Sequence, residues 1–552
     1  MDKYYHLQYI LSSHLVSKKL FFFIFRIYLN KQMRLDGFMK KNTIIKGTLI
    51  LTVAGLITRI IGFFYKIYLS NTLGAEKLGL YQLIFPIYGI CFTLFAGGIQ
   101  TSISKLVADE HGRQKSLGNQ DFKTRYQIQR ILRIGMTLSF AVASTLSILV
   151  YLNAGFLAQD VIKEASCEAS LRILALAFPF CSISSSINGY CYGLKRPTVP
   201  ASTQLLEQIT RVVFVYYFAT VVGNGSNHIS VELAVYGIVA GEFTSMIYNV
   251  VSLFVMKKPF KNKKATEDKI PVLKPLVTYM LPLTGNHLVV SLLNSLEAIL
   301  IPAMLRKYGL SSSEALSIYG ILTGMSIPFI LFPSTITNSL AVLLLPTISE
   351  ASSGKDQRTI HTTTQTCMKY CMIIGIFSTG IFILFGQSLG DFFFHNILAG
   401  RFLVILAWLC PFMYIATTLG SIINGLGKTH LTFINNVTGL GIRILFVMYM
   451  VPNKGIYGYL IGLLVSELAI AVLNFMSLRN TVKITLDGIN WLIKPALIMF
   501  LTGALIYRVY LYVLGLKVMS DMMTLAVFCC VTLGVYVSFL FLSKSVTVGD
   551  FK

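Results

Sequence analysis

Charge is what this sequence has least of. Only 13% of its 552 residues are Asp, Glu, Lys or Arg, about half the share of an ordinary soluble chain. Catalytic signatures are missing as well. There is no GxGxxG, no GxxxxGK[ST] and no HExxH, so neither a phosphate-cradling loop nor a zinc-binding helix is written here. In the loop 153–167, Asp160 and Glu164 are separated by Lys163 and have no third acidic neighbour, which leaves no metal-dependent transferase site. The eight histidines are scattered. The nine cysteines include no CxxC; Cys367 and Cys371 stand four apart on an expected helix, and Cys529 and Cys530 are adjacent. An odd number inside apolar runs argues against a disulfide framework, and these read as small core residues. The chain is therefore read as not an enzyme.

What fills the sequence is apolar. Hydrophobic residues make up 55% of it and the mean hydropathy is +0.69. The apolar residues come in runs of about 20, enough for a helix to cross a hydrocarbon core of about 30 Å. The short alternating segments of a membrane β-barrel do not dominate. The fold class predicted is all-α, a polytopic membrane protein of about fourteen spans. These are placed at 45–69, 80–104, 130–152, 168–192, 198–222, 232–256, 274–302, 316–345, 364–386, 402–425, 430–451, 456–478, 490–513 and 521–543.

The net charge of +24 would suggest nucleic acid in a soluble protein. Here it follows the loops, so no nucleic-acid partner is expected. The segment before the first span and the loops 105–129 and 257–273 are rich in Lys and Arg, whereas 70–79, 153–167 and 223–231 hold at most one each. That alternation is the positive-inside pattern, and it puts both termini in the cytoplasm of a cell-membrane protein with an even number of spans. Residues 1–38 carry Lys18, Lys19, Arg26, Lys31 and Arg34 around the patch Leu20–Phe25, which is too short to span and lacks a following small-residue cleavage site. They read as an N-terminal extension, disordered or interfacial, with the true start at Met39 or Met33.

The chain repeats itself. Leu174-Ala-Leu-Ala-Phe-Pro179-Phe180 parallels Leu406-Ala-Trp-Leu-Cys-Pro411-Phe412, each followed by Asn-Gly, a Gly and a Lys: Asn188-Gly189, Gly193 and Lys195 against Asn424-Gly425, Gly427 and Lys428. Each next span has a central arginine, Arg211 and Arg443. Leu78-Gly-Leu-Tyr81 through Glu110 parallels Leu316-Ser-Ile-Tyr319 through Glu350. Six spans separate the copies, so they share one orientation, a parallel repeat common in transporters. The organisation read from this is an N-lobe at 39–256, a basic linker at 257–273, a C-lobe at 274–480, and two further spans with a tail at 481–552.

Ionisable groups inside apolar spans are costly and usually face a cavity. Gly55, Arg59, Gly62 and Lys66 recur at spacings of 4, 3 and 4 and form one helical stripe; its glycines admit a close neighbour and its two cations suit a diphosphate. Glu207 and Arg211 are spaced as an internal ion pair. Glu297, with Asn286 and Asn294 near its face, is expected to answer Arg59 across the lobes or to take a coupling cation. Arg211 and Arg443 are expected to join Arg59 and Lys66 at a cavity for the diphosphate, and Gln100, Lys105 and Asn338 are candidate gate or cavity residues. Pro86, Pro179, Pro282, Pro328, Pro333 and Pro411 lie within spans, where proline kinks a helix.

These residues resemble a known family. Gly79-Leu-Tyr-Gln-Leu-Ile-Phe-Pro86-Ile-Tyr followed by Ile103-Ser-Lys-Leu-Val-Ala-Asp-Glu110, the opening Lys46-Gly-Thr-Leu-Ile-Leu-Thr-Val-Ala-Gly55 with Arg59, Gly62 and Lys66, and Tyr319-Gly-Ile-Leu-Thr-Gly-Met-Ser-Ile-Pro328 through Pro346-Thr-Ile-Ser-Glu350 look like the stage V sporulation protein B family. The similarity runs from about residue 40 to 545. That family falls within the multidrug/oligosaccharidyl-lipid/polysaccharide exporter superfamily. The resemblance implies two six-helix lobes in a V, alternating access, and a cationic cavity for an undecaprenyl-linked glycan in peptidoglycan, spore cortex or polysaccharide synthesis. Related lipid II flippases share an arginine in the first helix, matched by Arg59; in place of a second arginine two turns on stand Tyr65 and Lys66. No cofactor is expected. Coupling is expected from Na⁺, H⁺ or the membrane potential, and the partners expected are the lipid-linked glycan, membrane lipids and cell-wall synthesis enzymes. A cation-coupled multidrug antiporter of the same superfamily and a non-transporting scaffold for wall synthesis are the alternatives.

Overall fold

The computed structural model describes residues 43–116, 122–221, 229–256, 271–354, 356–479, 482, 487–517 and 519–546. The N-terminal extension and most of the basic linker lie outside them. Among the described residues every element is helical and there is no strand. Eleven helices are long and apolar enough to cross a membrane, and thirteen when two bent pairs are each taken as one span. Thr198–Val221 is the helix at the remaining place; it carries Glu207, Gln208 and Arg211 and does not meet that mark. Helices thus stand at all fourteen expected places.

Several run past the apolar stretch that announced them. The ninth span is expected at 364–386 and extends over Gln357–Phe394. Its start is set by Asp356, which accepts the backbone N–H of Thr359 at 3.1 Å and so satisfies one of the four open N–H groups of the first turn. The eighth begins at a capping box, in which Ser311 accepts from Glu314 N and Glu314 from Ser311 N. Polar ends of this kind continue a helix beyond the hydrocarbon, so apolarity marks the middle of a span better than its limits.

The repeated prolines mark repeated bends. The fourth span turns by 45° between Ala165–Ala175 and Ala177–Gly193, and the tenth by 56° between Ile397–Leu406 and Leu409–Gly425; Pro179 and Pro411 open the second limb of each. Pro86 follows a break at Ile84. Pro282 and Pro302, by contrast, lie inside the continuous seventh span, Leu273–Lys307.

The repeat is also visible in side-chain bonds. Between the fifth and sixth spans, Thr203 Oγ1 donates to Asn249 Oδ1 at 3.0 Å. Between the eleventh and twelfth, Asn435 Nδ2 donates to Asn474 Oδ1 at 2.9 Å. The two bonds occupy corresponding places in the two lobes.

The core shows how the lobes meet. At the end away from the basic loops, one cluster holds Leu69, Leu73, Tyr81 and Phe95 of the N-lobe together with Leu305, Leu316, Phe329 and Phe402 of the C-lobe. At the basic end the core divides. Ile99, Ile103, Ile131 and Leu253 form one cluster, joined by Val272 and Leu276; Ile348, Ile360, Leu419 and Leu478 form another. The seventh span packs on both lobes: its first half joins the N-lobe cluster, and its second half meets the C-lobe at Arg443 while Ser295 Oγ donates to Pro86 O of the N-lobe at 3.0 Å. The joined end is tied by an ion pair of Glu164 with Arg306, by Ser312 Oγ on Glu164 Oε1 at 2.5 Å and by Ser313 Oγ on Glu76 Oε2 at 2.7 Å. The two lobes are fused at one end and separate at the other, which is a V.

Candidate functional site

A cavity of about 610 Å³ lies between the lobes, walled by the first, second and fifth spans and by the eighth. The expected stripe on the first span reaches it: Arg59, Gly62 and Lys66 all line it. Gly62 faces the fifth span, where a Cβ would meet Gln208 Nε2 at 3.5 Å, an ordinary contact. Arg59 is exposed and Lys66 half-buried, and neither has an ion-pair partner among the described residues. Arg211 enters the wall from the fifth span and Asn338 from the eighth.

Arg211 is only partly engaged. Its Nη2 donates to Glu207 Oε1 at 2.6 Å, one turn back on the same helix, while its Nε is buried with no acceptor. Tyr65, 5% exposed, has a buried hydroxyl with no partner. Leaving such groups unmatched costs about 1–3 kcal/mol each. Behind Arg211, the sixth span brings in Glu242, also buried, which accepts from Tyr88 Oη at 3.2 Å. The cavity wall itself contains Arg59, Lys66 and Arg211 and no carboxylate. Amides and hydroxyls of Gln82, Gln208, Ser334 and Thr335 alternate there with the rings of Phe63, Tyr81, Phe85 and Phe332.

The second cluster corrects two expectations. Glu297 does not face Arg59. It lies 6% exposed against Arg443, whose Nη1 stands 3.4 Å from both carboxylate oxygens. The same guanidinium gives Nη2 to Glu467 Oε1 at 2.7 Å and Nε to Ser466 Oγ at 3.0 Å, and Tyr459 Oη donates to Glu297 Oε1 at 2.8 Å. With all three nitrogens bonded inside the C-lobe, Arg443 does not line the cavity. The physical reason is the fork of the guanidinium, which ties the seventh, eleventh and twelfth spans together through two carboxylates. Replacing Arg443 with Ala would leave two carboxylates buried side by side without a counter-charge. The expected cost is about 3–5 kcal/mol, measured as a fall in the unfolding midpoint of the detergent-solubilised protein. A triple change, Arg443→Leu with Glu297→Gln and Glu467→Gln, should recover part of it.

Gln100 and Lys105 also lie elsewhere. Gln100 is half-buried and packs its backbone where Gly189 of the fourth span leaves room. Lys105 is exposed, its Nζ 3.7 Å above the ring centre of Tyr279, a cation–π contact with the seventh span. Sequence reasoning missed Glu242 and Glu467. Both are intramembrane carboxylates, so the rule that selected Glu297 also selects them. It missed Tyr65 as a donor, for which no sequence signal exists. No group of three His, Cys, Asp or Glu side chains able to hold a metal occurs among the described residues.

Comparison with known proteins agrees with this geometry. The profile of a family described as polysaccharide biosynthesis protein matches residues 44–352. The chain is 27% identical to stage V sporulation protein B of Bacillus subtilis (strain 168) over 454 residues, which covers 81% of this chain and 86% of that one. A solved structure of the lipid II flippase MurJ in an inward closed conformation superposes with a TM-score of 0.64 at 14% identity, over 89% of this chain and 98% of that one. The inward-facing structure of a multidrug resistance MATE family transporter of the MOP superfamily gives 0.60 at 16% identity, over 77% and 94%. The overall fold is therefore that of these transporters. Those neighbours are a flippase and a transporter, not catalysts.

Proposed function

The chain belongs to the polysaccharide biosynthesis protein family, and on that premise we propose that it carries an undecaprenyl-diphosphate-linked glycan across the cytoplasmic membrane by alternating access. One observation carries this reading: the cavity between the lobes is lined by three cations and no carboxylate. Guanidinium and ammonium groups suit a diphosphate, the guanidinium by donating two bonds at once. The amides, hydroxyls and rings between them suit a sugar, whose hydroxyls need hydrogen bonds and whose C–H faces pack on aromatic rings. The relatives named for sporulation and for lipid II flipping favour a precursor of peptidoglycan, spore cortex or another polysaccharide, handed to cell-wall synthesis enzymes after crossing. The polyprenyl tail stays in the lipid.

With the basic loops in the cytoplasm, the fused end of the V is external and both termini are cytoplasmic. This is the inward-facing arrangement, open to the leaflet where the precursor is made. Arg443 occupies the place a cation near Glu297 would take, which favours the membrane potential as the driving force. Outward movement of an anion gains roughly 2.3 kcal/mol per charge per 100 mV, inside negative. A cation-coupled multidrug antiporter shares the fold, but a cationic drug would meet two cations, Arg59 and Lys66, that have no ion-pair partner among the described residues.

The test is reconstitution. Liposomes carrying the purified protein and a fluorescent undecaprenyl-diphosphate glycan are treated with an impermeant quencher. Faster loss of the protected pool than in protein-free liposomes supports the reading. Unchanged glycan protection, together with expulsion of cationic dyes against a Na⁺ or H⁺ gradient, establishes the antiporter instead.

A further inference from the structure

Within that reading, the cavity has two cationic levels. The first span rises about 1.5 Å per residue, so Arg59 and Lys66 stand roughly 10 Å apart along its axis. Helical side chains lean toward their own N-terminus; both lean the same way, and the gap remains. A diphosphate, two phosphoryl groups sharing one oxygen, is much shorter than this. One level can hold it, and the other is left for a different group.

The deep level, nearer the fused end, is the one with unfilled demand. Tyr65 precedes Lys66 in the chain, and both line the cavity together with Arg211. The Tyr65 hydroxyl and Arg211 Nε are both buried donors without an acceptor. Glu207 satisfies only Nη2 of the guanidinium, and no acidic side chain lines the wall. No side chain of the wall supplies that acceptor, and in a wall lined by Lys66 and Arg211 the fitting acceptor is an anion.

We propose that Tyr65, Lys66 and Arg211 form a subsite for a carboxylate on the glycan, so that the transported headgroup carries two anionic groups: a diphosphate at Arg59 and, one level deeper, an acidic sugar or carboxylated substituent. This rests on the glycan-transport reading. It narrows the cargo from lipid-linked glycans in general to acidic ones.

Binding of short-chain polyprenyl diphosphates to the detergent-solubilised protein tests it. Two probes are compared, one with a disaccharide containing a uronic acid and the other with the same disaccharide as its methyl ester. The acid should bind roughly tenfold more tightly, and Tyr65→Phe should cut that preference several-fold. Lys66→Gln is the second variant, to be used if Tyr65→Phe does not fold. Equal binding of acid and ester overturns the subsite and leaves the glycan reading intact. A preference for the acid that neither variant alters also overturns it, because the carboxylate then sits elsewhere. Binding of neither probe, with the dye expulsion described above, defeats both readings.

Discussion

Reversing Arg59 to Glu is expected to lower glycan flipping by about a thousandfold while leaving the protein as stable as before. Two unit charges 4 Å apart interact by about 4 kcal/mol at an effective dielectric of 20, and about 4 kcal/mol is close to three orders of magnitude in binding. Arg59 is exposed, so water screens the lost attraction and the gained repulsion each to about half that figure, and the two together come to about 4 kcal/mol. Arg59→Ala should be milder and Arg59→Lys milder still, because lysine keeps the charge but loses the two-pronged donor. Stability is expected to hold because Arg59 is exposed and has no ion-pair partner among the described residues. That separates it from Arg443, whose removal should lower the unfolding midpoint. The measurement is quencher accessibility in liposomes, with the unfolding midpoint of each variant as a control. A flipping rate for Arg59→Glu equal to that of the wild type would remove the anionic cargo from consideration.

The fold was legible in the sequence because the membrane imposes it. A chain that must satisfy its own backbone in hydrocarbon becomes helical wherever it is apolar for long enough, and the repeated Pro179/Pro411 and Arg211/Arg443 supplied the two lobes. The cavity was half legible. Arg59, Lys66, Arg211 and Asn338 come together because intramembrane charge and amide groups seek a polar cavity. What sequence spacing cannot supply is which helix each stripe meets. Glu297 and Arg59 look complementary in isolation, but the seventh span delivers Glu297 to Arg443. Lys105 looks like a cavity cation, but its stripe on the second span meets Tyr279. These choices belong to packing between helices.

The repeat also shows what differs between otherwise similar lobes. In the C-lobe, Glu467 of the twelfth span bonds Arg443 directly at 2.7 Å. In the N-lobe, the matching arginine turns to Glu207 on its own helix, and Glu242 of the sixth span is held by Tyr88 instead. The C-lobe arginine is consumed by the scaffold. The N-lobe arginine keeps a nitrogen free and faces the cavity. One ancestral arrangement thus yields a structural clamp in one lobe and a binding group in the other.

On the proposed topology, placing a side chain at Gly320 is expected to prevent the external end from closing. The second and eighth spans touch backbone to backbone there. A Cβ on Gly320 would overlap the carbonyl oxygen of Ala75 and lie 2.6 Å from Gly79 N and 3.0 Å from Gly79 Cα. On the facing helix, a Cβ on Gly79 would overlap the carbonyl oxygen of Leu316. All these neighbours are main-chain atoms and cannot rotate away. Gly320→Val must push the spans apart, and with them the contacts of Glu164 with Arg306 and of Ser313 with Glu76. About 5.5 kcal/mol moves a two-state equilibrium from 1:99 to 99:1. The loss of a close-packed helix contact and a half-buried ion pair approaches that figure. The variant should therefore rest open to the outside and flip glycan at a small fraction of the wild-type rate, with Gly320→Ala intermediate. Spin labels at Asp160 and Ser313 should report a longer distance in Gly320→Val than in the wild type. An unchanged distance with normal flipping would mean that the backbone contact is incidental. The external gate would then rest on the Glu164–Arg306 pair, and loss of that pair alone should open it.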